Sequence, residues 1–294
     1  MLQKKLIVLF CLWFAVCFGK YQYHLSIGMI FRDEAPYLKE WIEFHRLVGV
    51  EHFYLCSHNS QDHYKEVLEP YITKGIVELE EWMSEELQPD SLAFTLIQCS
   101  FYNECLNKAR GVSKWIAILD SDEFLFCPQG KSLVDVLQSY KEFAGIGVNW
   151  QMFGTSYIDI LQPDKLMIEQ LVCCAPRDMK ANAHIKSIVQ PKWTTHFLNP
   201  HNAEYLPGYM QVNTDKVPFQ GPLSPYVQVN RLRINHYWTR DNTYFRTKKT
   251  MRQNQFWGFT RETVEKLAAP FNEEVDMSIQ QFVPKLRKKM GLKS

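Results

Sequence analysis

The stretch Trp115-Ile116-Ala117-Ile118-Leu119-Asp120-Ser121-Asp122-Glu123-Phe124-Leu125-Phe126 decides how this chain is read. Its first five residues form an unbroken apolar run, the pattern of a strand buried on both faces of a parallel sheet. Asp120 and Asp122 then stand at the C-terminal end of that strand, where open α/β sheets bind their ligands. Two carboxylates there suit a hard divalent cation shared with a diphosphate. Mg2+ or Mn2+ takes one or two protein carboxylates and completes its shell with phosphate oxygens and water. An Asp-x-Asp tripeptide also serves as a solvated turn or a helix N-cap. The return to Phe124-Leu125-Phe126 argues against a surface turn, because it sends the chain straight back into the core.

Outward from this strand, strand and helix signals alternate. Strand-like runs cover residues 26–31, 51–56, 75–81, 115–119 and 145–150, and helix-like runs cover 37–48, 64–71, 92–108 and 133–143. Such alternation predicts a mostly parallel sheet with right-handed crossovers. In the first helix Leu38, Trp41, Ile42 and His45 recur at helical spacing. Asp33-Glu34-Ala35-Pro36 opens it, where acids and an early proline are favoured, and Gly49 ends it. From about residue 150 to 233 short strands, Pro and Gly dominate, which predicts mixed-sheet edges and binding loops. Helical signals return past residue 243. The tail carries Lys285, Arg287, Lys288, Lys289 and Lys293 with no acid among them. It reads as a solvated helix or as a contact for anionic lipid headgroups.

With 294 residues, 46% hydrophobic and 22% charged, the chain suits one large α/β domain or two small ones. A net charge of +1 supplies no basic field for nucleic acid. Lys4-Lys5 precede an apolar run from Leu6 to Phe18, closed by Gly19-Lys20. This is the pattern of a secretory signal or a short signal anchor, shorter than the ~20 residues of a comfortable span; a buried first element is the alternative. The expected organisation is a leader at 1–19, a main domain at 20–260 and a C-terminal helical segment at 261–294, in an exported or membrane-associated protein. The eight cysteines show no zinc-like spacing. Cys56 and Cys99 read as small buried hydrophobes, and the adjacent Cys173 and Cys174 would bond elsewhere rather than to each other.

Five motifs follow one another in order. They are Glu40-Trp41-Ile42-Glu43-Phe44-His45 with Gly49-Val50-Glu51-His52-Phe53-Tyr54, then Asn59-Ser60-Gln61-Asp62, then the stretch from Lys114 to Phe124, then Trp150-Gln151-Met152-Phe153-Gly154, and last Asn235-His236-Tyr237-Trp238. Together they resemble glycosyltransferase family 92, over about residues 27–249. The resemblance implies a GT-A fold, with a Rossmann-like, mostly parallel central sheet, flanking helices and a mixed-sheet and loop acceptor region. It also implies a metal-dependent transfer of a hexose, such as galactose, from a UDP-sugar to a glycan hydroxyl, with inversion at the anomeric carbon.

The same resemblance assigns roles. Asp120 and Asp122 would hold Mn2+ or Mg2+ on the donor diphosphate, with Ser121 beside the donor. His236 is the choice for a third ligand, since imidazole suits Mn2+ better than Mg2+; a hydrogen-bonded core histidine is the alternative. Arg32 would meet phosphate or ribose and Glu34 the sugar-base end, although Asp33 and Glu34 also suit a helix N-terminus. Asn59 and Asp62 would contact uracil or ribose, while Ser57 and His58 stand at a strand exit where an Asp is common. Asn103 matches an Asn on the helix before the metal strand, or is a helix-surface residue. Lys248 and Lys249 would neutralise diphosphate from a mobile lid, or form a charged helix face. Trp150, Phe153 and Gly154 would line the acceptor cleft, or belong to the core.

Inversion needs a base for the acceptor hydroxyl. The carboxylates available after the fifth strand are Asp159, Asp164, Glu169, Asp178, Glu204 and Asp215, of which Asp178 and Glu204 are preferred because they lie among polar loops. Two rival readings stand beside this one: a catalytically silent glycan-binding module of the same fold, and a glycoside hydrolase, which needs two facing carboxylates.

Overall fold

The computed structural model describes residues 21–84 and 91–293. The leader at 1–19 lies outside the described residues. The first strands and helices are β1 (Tyr23–Phe31), α1 (Ala35–Leu47), β2 (His52–His58), α2 (Tyr64–Ile72), β3 (Val77–Trp82), α3 (Ser91–Ala109), β4 (Ser113–Ile118), β5 (Glu123–Phe126), α4 (Leu133–Gln138) and β6 (Gly145–Met152). Every strand and helix expected up to residue 150 is present, with shifted ends, and β5 is a strand that the alternation did not anticipate. Then come α5 (Met167–Gln170), β7 (Cys173–Cys174), β8 (Ile185–Val189), β9 (Thr194–Phe197), β10 (Ala203–Tyr205), β11 (Gln211–Val212) and β12 (Arg233–His236). The chain finishes with α6 (Asn242–Tyr244), a π-helical turn (Phe245–Lys249), α7 (Thr250–Trp257), α8 (Arg261–Ala268), β13 (Glu274–Val275) and α9 (Val283–Met290).

The main sheet runs β3-β2-β1-β4-β8-β6-β12-β5, with β11 on β6. β3, β2, β1, β4, β6 and β12 all point one way, while β8 and β5 run against them. The weak region after residue 150 therefore does more than edge the sheet: β8 lies in its middle, between β4 and β6. β8 was illegible because it is short and carries Lys186 in an otherwise strand-like run.

The sheet must curl. From Ile118 at the end of β4 to Glu123 at the start of β5, the chain reaches at most about 17 Å. Four strand spacings across a flat sheet would be about 19 Å. Curling folds β5 back toward β4 and places the Asp-Ser-Asp turn at the mouth between them. α1 fills the concave side, where the Trp41 indole N–H donates to the Glu123 carbonyl (2.8 Å).

Side-chain alternation along β1 divides the core. Leu25, Ile27, Met29 and Phe31 join Leu38, Trp41, Phe44, Phe53 and Leu55 on the face covered by α1, α2, α4 and α9. Ile30 joins Tyr54, Phe101, Tyr102, Cys105 and Ile118 on the face covered by α3. A Cβ on Gly28 would lie 2.9 Å from Ile118 Cδ1 and 3.0 Å from Cys105 Sγ, so α3 seats this closely only over glycine. Cys56 and Cys99 are buried thiols, as expected.

The C-terminal segment packs into the same core rather than standing apart. Ile279, Phe282, Val283 and Leu286 are buried in the large cluster. Two of the tail's cations are paired there, Arg287 with Glu169 (2.6 Å) and Lys289 with Glu43 (3.6 Å). Among the described residues no helix is long and apolar enough to cross a membrane.

Candidate active site at the mouth of the sheet

The two aspartates of the central turn lead different lives. Asp122 is buried. Its Oδ1 lies 3.4 Å from His236 Nε2 and its Oδ2 lies 3.4 Å from Lys249 Nζ. Burial alone would raise its carboxyl, but Lys249 and His236 outweigh that and hold it well below the usual carboxylate range. His236 ends β12, which pairs antiparallel with β5 so that His236 stands opposite Glu123. Burial lowers the imidazole despite Asp122, so the ring is neutral at pH 7. Its Nδ1 is buried without a partner. Lys249 ends the π-helical turn, a form frequent at functional sites. Its ammonium also lies 4.7 Å from the centre of the Trp238 ring.

Asp120 is more open and is held by different groups. Lys186 Nζ lies 2.9 Å from its Oδ2, and the Tyr102 hydroxyl donates to its Oδ1 (3.2 Å). Lys186 is buried on β8 and also lies 3.8 Å from Glu123 Oε2. Burial lowers the ammonium, but Asp120 and Glu123 more than compensate and its net shift is upward. The Glu123 carboxyl is pushed well above its usual range, first by burial, and its Oε1 has no partner.

Arg240 completes the set. Its guanidinium is buried, paired with Glu34, and donates to Ser121 Oγ (3.4 Å). It is sandwiched 3.7 Å from the Tyr37 ring centre and 4.5 Å from that of Tyr244. Its φ of +51° is unusual for a residue other than glycine. Its Nε and Nη1 are buried without partners.

The sequence-expected residues divide. Asp120, Ser121, Asp122, His236, Glu34 and Trp150 come together. Trp150 lies edge to face with His236 (4.4 Å between ring centres) and stacks on His184 (5.1 Å). Arg32, at the β1 exit, is exposed and lies 3.9 Å from Asp33. Lys248 is exposed, whereas its neighbour Lys249 is buried. Asp178 and Glu204 are exposed.

Five of the expected residues have structural partners within the chain. Asn59 exchanges amide bonds with the Ser84 backbone (3.0 and 3.1 Å). Asp62 accepts from the Ala35 N–H (2.7 Å), satisfying the start of α1. Asn103 clamps the backbone of Phe197 at both ends of its amide (3.2 and 2.6 Å). Phe153 is fully buried against Tyr237, and a Cβ on Gly154 would meet Asn272 at 2.3 Å, so both are core rather than cleft.

Lys186 and Arg240 were missed. A lysine amid Ile185, Ser187, Ile188 and Val189 signals a buried ion pair, because a lone ammonium is not tolerated there. Arg240 carries no comparable signal.

Among the described residues no three His, Cys, Asp or Glu side chains converge on one point. Asp122 Oδ1 and His236 Nε2, however, are 3.4 Å apart, about the span of two ligand atoms on one cation with bonds of ~2.1 Å. A two-donor set of this kind suits a metal that keeps phosphate and water as its other ligands. Asp120, the other carboxylate expected on this metal, has its oxygens hydrogen-bonded by Lys186 and Tyr102. On the same edge of the sheet, a cavity of about 340 Å³ opens beside His58, Trp82, Ser84 and Ile97.

Comparison with known proteins places this geometry in context. A family 92 glycosyltransferase of Ricinus communis is 27% identical over 67% of this chain and 34% of its own length. A galactan β-1,4-galactosyltransferase of Arabidopsis thaliana is 27% identical over 42% of this chain and 25% of its own. The chain thus spans about a third or less of the length of these relatives. Among solved structures, S. aureus TarS (residues 1–349) matches with a TM-score of 0.40 and 11% identity, over 84% of this chain and 70% of that one. The model of glycosyltransferase family 92 matches residues 22–283, and this chain belongs to that family.

Proposed function

We propose that the chain is a metal-dependent, inverting glycosyltransferase that moves galactose from a UDP-sugar to a glycan hydroxyl. The observation that carries this reading is the meeting of Asp122 and His236 at the mouth of the sheet of a family 92 chain. The relatives named galactan β-1,4-galactosyltransferases support galactose as the sugar.

In this reading Asp122 and His236 hold Mn2+ (or Mg2+), which would supply Lewis-acid stabilisation to the departing diphosphate. The chain's own groups do the rest. Lys249 and Arg240 add fixed positive charge where diphosphate charge develops, in a buried setting where it is little screened. Lys186 and Tyr102 hold Asp120 toward the donor. The cavity beside His58 and Trp82 gives an aromatic-lined space for the nucleoside.

Calorimetry of the full chain tests this. With Mn2+ the parent is expected to bind UDP-galactose, and chelation or Asp122→Ala is expected to weaken binding at least 100-fold. Equal affinity in Asp122→Ala would refute the site. A thermal-shift screen of nucleotide-sugars with and without Mn2+ checks donor identity, because binding to the native state raises its melting point.

A further inference from the structure

We propose that His184 is the general base of the transfer, taking the acceptor hydroxyl's proton on Nε2. This rests on the transferase reading above.

Of the six carboxylates weighed for this task, three are engaged elsewhere and three are exposed. Asp159 accepts from Asn242 Nδ2 (3.1 Å), Glu169 pairs with Arg287 (2.6 Å) and Asp215 pairs with Arg231 (3.3 Å). Glu204 is exposed on the β9–β10 hairpin, and Asp164 and Asp178 lie exposed on loops.

His184 immediately precedes β8, a strand that runs against both of its neighbours. β8 is antiparallel to both β4 and β6, so its N-terminal end reaches the edge where those strands end. The Trp150 backbone N–H donates to the His184 carbonyl (3.0 Å), which pins this end to β6. The half-buried imidazole stacks on the Trp150 indole, with 20° between the planes. The same indole meets His236, whose Nε2 faces Asp122. One aromatic plate thus spans from the paired metal donors to the histidine.

The tautomer is set locally. His184 Nδ1 lies 3.1 Å from the Ala181 carbonyl, which only accepts. Nδ1 therefore carries the proton and Nε2 keeps an available lone pair. His201 sits nearby in the same tautomer, its Nδ1 3.0 Å from the Ile185 carbonyl. Burial, then Lys186, pushes His201 down to about 3, which makes it too weak a base.

The step balances. The acceptor O–H proton passes to Nε2 as its oxygen bonds the anomeric carbon. The bond from that carbon to the diphosphate oxygen breaks, and its electron pair leaves with UDP. The imidazolium then releases the proton to solvent.

The test uses the full chain with Mn2+, UDP-galactose and a β-1,4-galactan oligosaccharide. His184→Asn keeps an amide donor near Ala181 and removes the base. Transfer is expected to fall roughly 10²- to 10⁴-fold, while the UDP-galactose Kd stays within about twofold of the parent by the same general-base logic. Added imidazole is expected to restore part of the transfer to His184→Gly. Asp178→Asn and Glu204→Gln are expected to keep the parental rate. Parental transfer in His184→Asn, a loss matched in donor Kd, or a loss in Asp178→Asn instead would overturn the assignment. If the parent binds UDP-galactose and His184→Asn transfers normally, only the base falls. If the parent binds no UDP-sugar with Mn2+, both readings fall.

Discussion

The two halves of the sheet are built to different rules. β1 to β4 bury mostly apolar side chains, among them Leu25, Ile27, Met29, Phe53, Leu55, Trp115 and Ala117. The strands from β6 to β12 bury Asn149, Gln151, Lys186, Ser187, Arg233, Asn235 and His236. The first half is held mainly by non-directional burial, which needs no particular partner. The second half is held by polar groups that cost stability unless each finds its partner. Arg233 shows this, with both guanidinium ends on Asp276 (3.0 and 2.6 Å). One half is a frame, and the other contributes Lys186 and His236 to the site.

The largest effect that distinguishes the halves is expected at Arg240. Arg240→Met strands Glu34 as a buried unpaired carboxylate and is expected to cost roughly 3–5 kcal/mol in urea unfolding. Adding Glu34→Gln to it should recover much of that loss. A single-variant cost below ~1 kcal/mol would mean this pair is not the buried network described, given the usual size of such losses.

In the frame, Leu55→Ala is expected to cost about 2–5 kcal/mol by leaving a cavity. Donor affinity of the folded fraction should not change. Weakened donor binding in this variant would break the division between frame and site.

Two buried titrating groups of α1 oppose one another. Burial pushes His45 down to about 3, with Nδ1 donating to the Trp41 carbonyl and Nε2 accepting from Leu125 N–H. As pH falls below the ordinary histidine value, the unfolded chain takes the proton first, so His45's stabilisation is lost toward acid. Burial raises Glu40 to about 7, although Met167 and Ile168 donate to its carboxyl. The folded chain then holds the proton first, so Glu40's contribution is complete at acid pH and is lost as pH rises from 4.5 through 7. Between pH 7 and 5 the two changes are each roughly 2 kcal/mol and of opposite sign. Glu40→Gln removes one of them. Relative to the parent, its stability is expected to fall by roughly 2 kcal/mol more on going from pH 7 to 5. An unchanged pH slope would show that Glu40 is not protonated in the fold.

The smallest effect is expected at Lys248. It is exposed, so Lys248→Ala should change stability by no more than ~0.5 kcal/mol. The same change at Lys249 strands Asp122 and should cost several times more. Equal effects at the two positions would erase the distinction between buried and exposed lysines in this turn.

How much was legible follows the same division. β1, β2, β4 and α1 were readable because apolar periodicity records which face is buried. β5 was hidden by its four-residue length, and β8 by Lys186. In the site, Asp120, Asp122 and His236 were readable as residues, but their arrangement was not. The sequence does not tell that Asp120 belongs to Lys186 and Tyr102 while Asp122 belongs to His236 and Lys249. Asn59, Asp62 and Asn103 hold backbone in the fold, and an amide or carboxylate that holds a loop looks, in a string of letters, like one that holds a ligand.

By itself the sequence determined the alternating architecture, the carboxylates at the end of a buried strand, and the family. These rest on local periodicity and short motifs, which survive in one dimension. Only the tertiary structure decided that β8 threads backward through the sheet, that the sheet curls to bring β5 and β12 beside β4, and that cations from residues 186, 240 and 249 gather around residues 120–122. Pairing of buried charges depends on distances between residues more than a hundred apart, as for Arg240 with Glu34 and Lys249 with Asp122, and no periodic pattern encodes them.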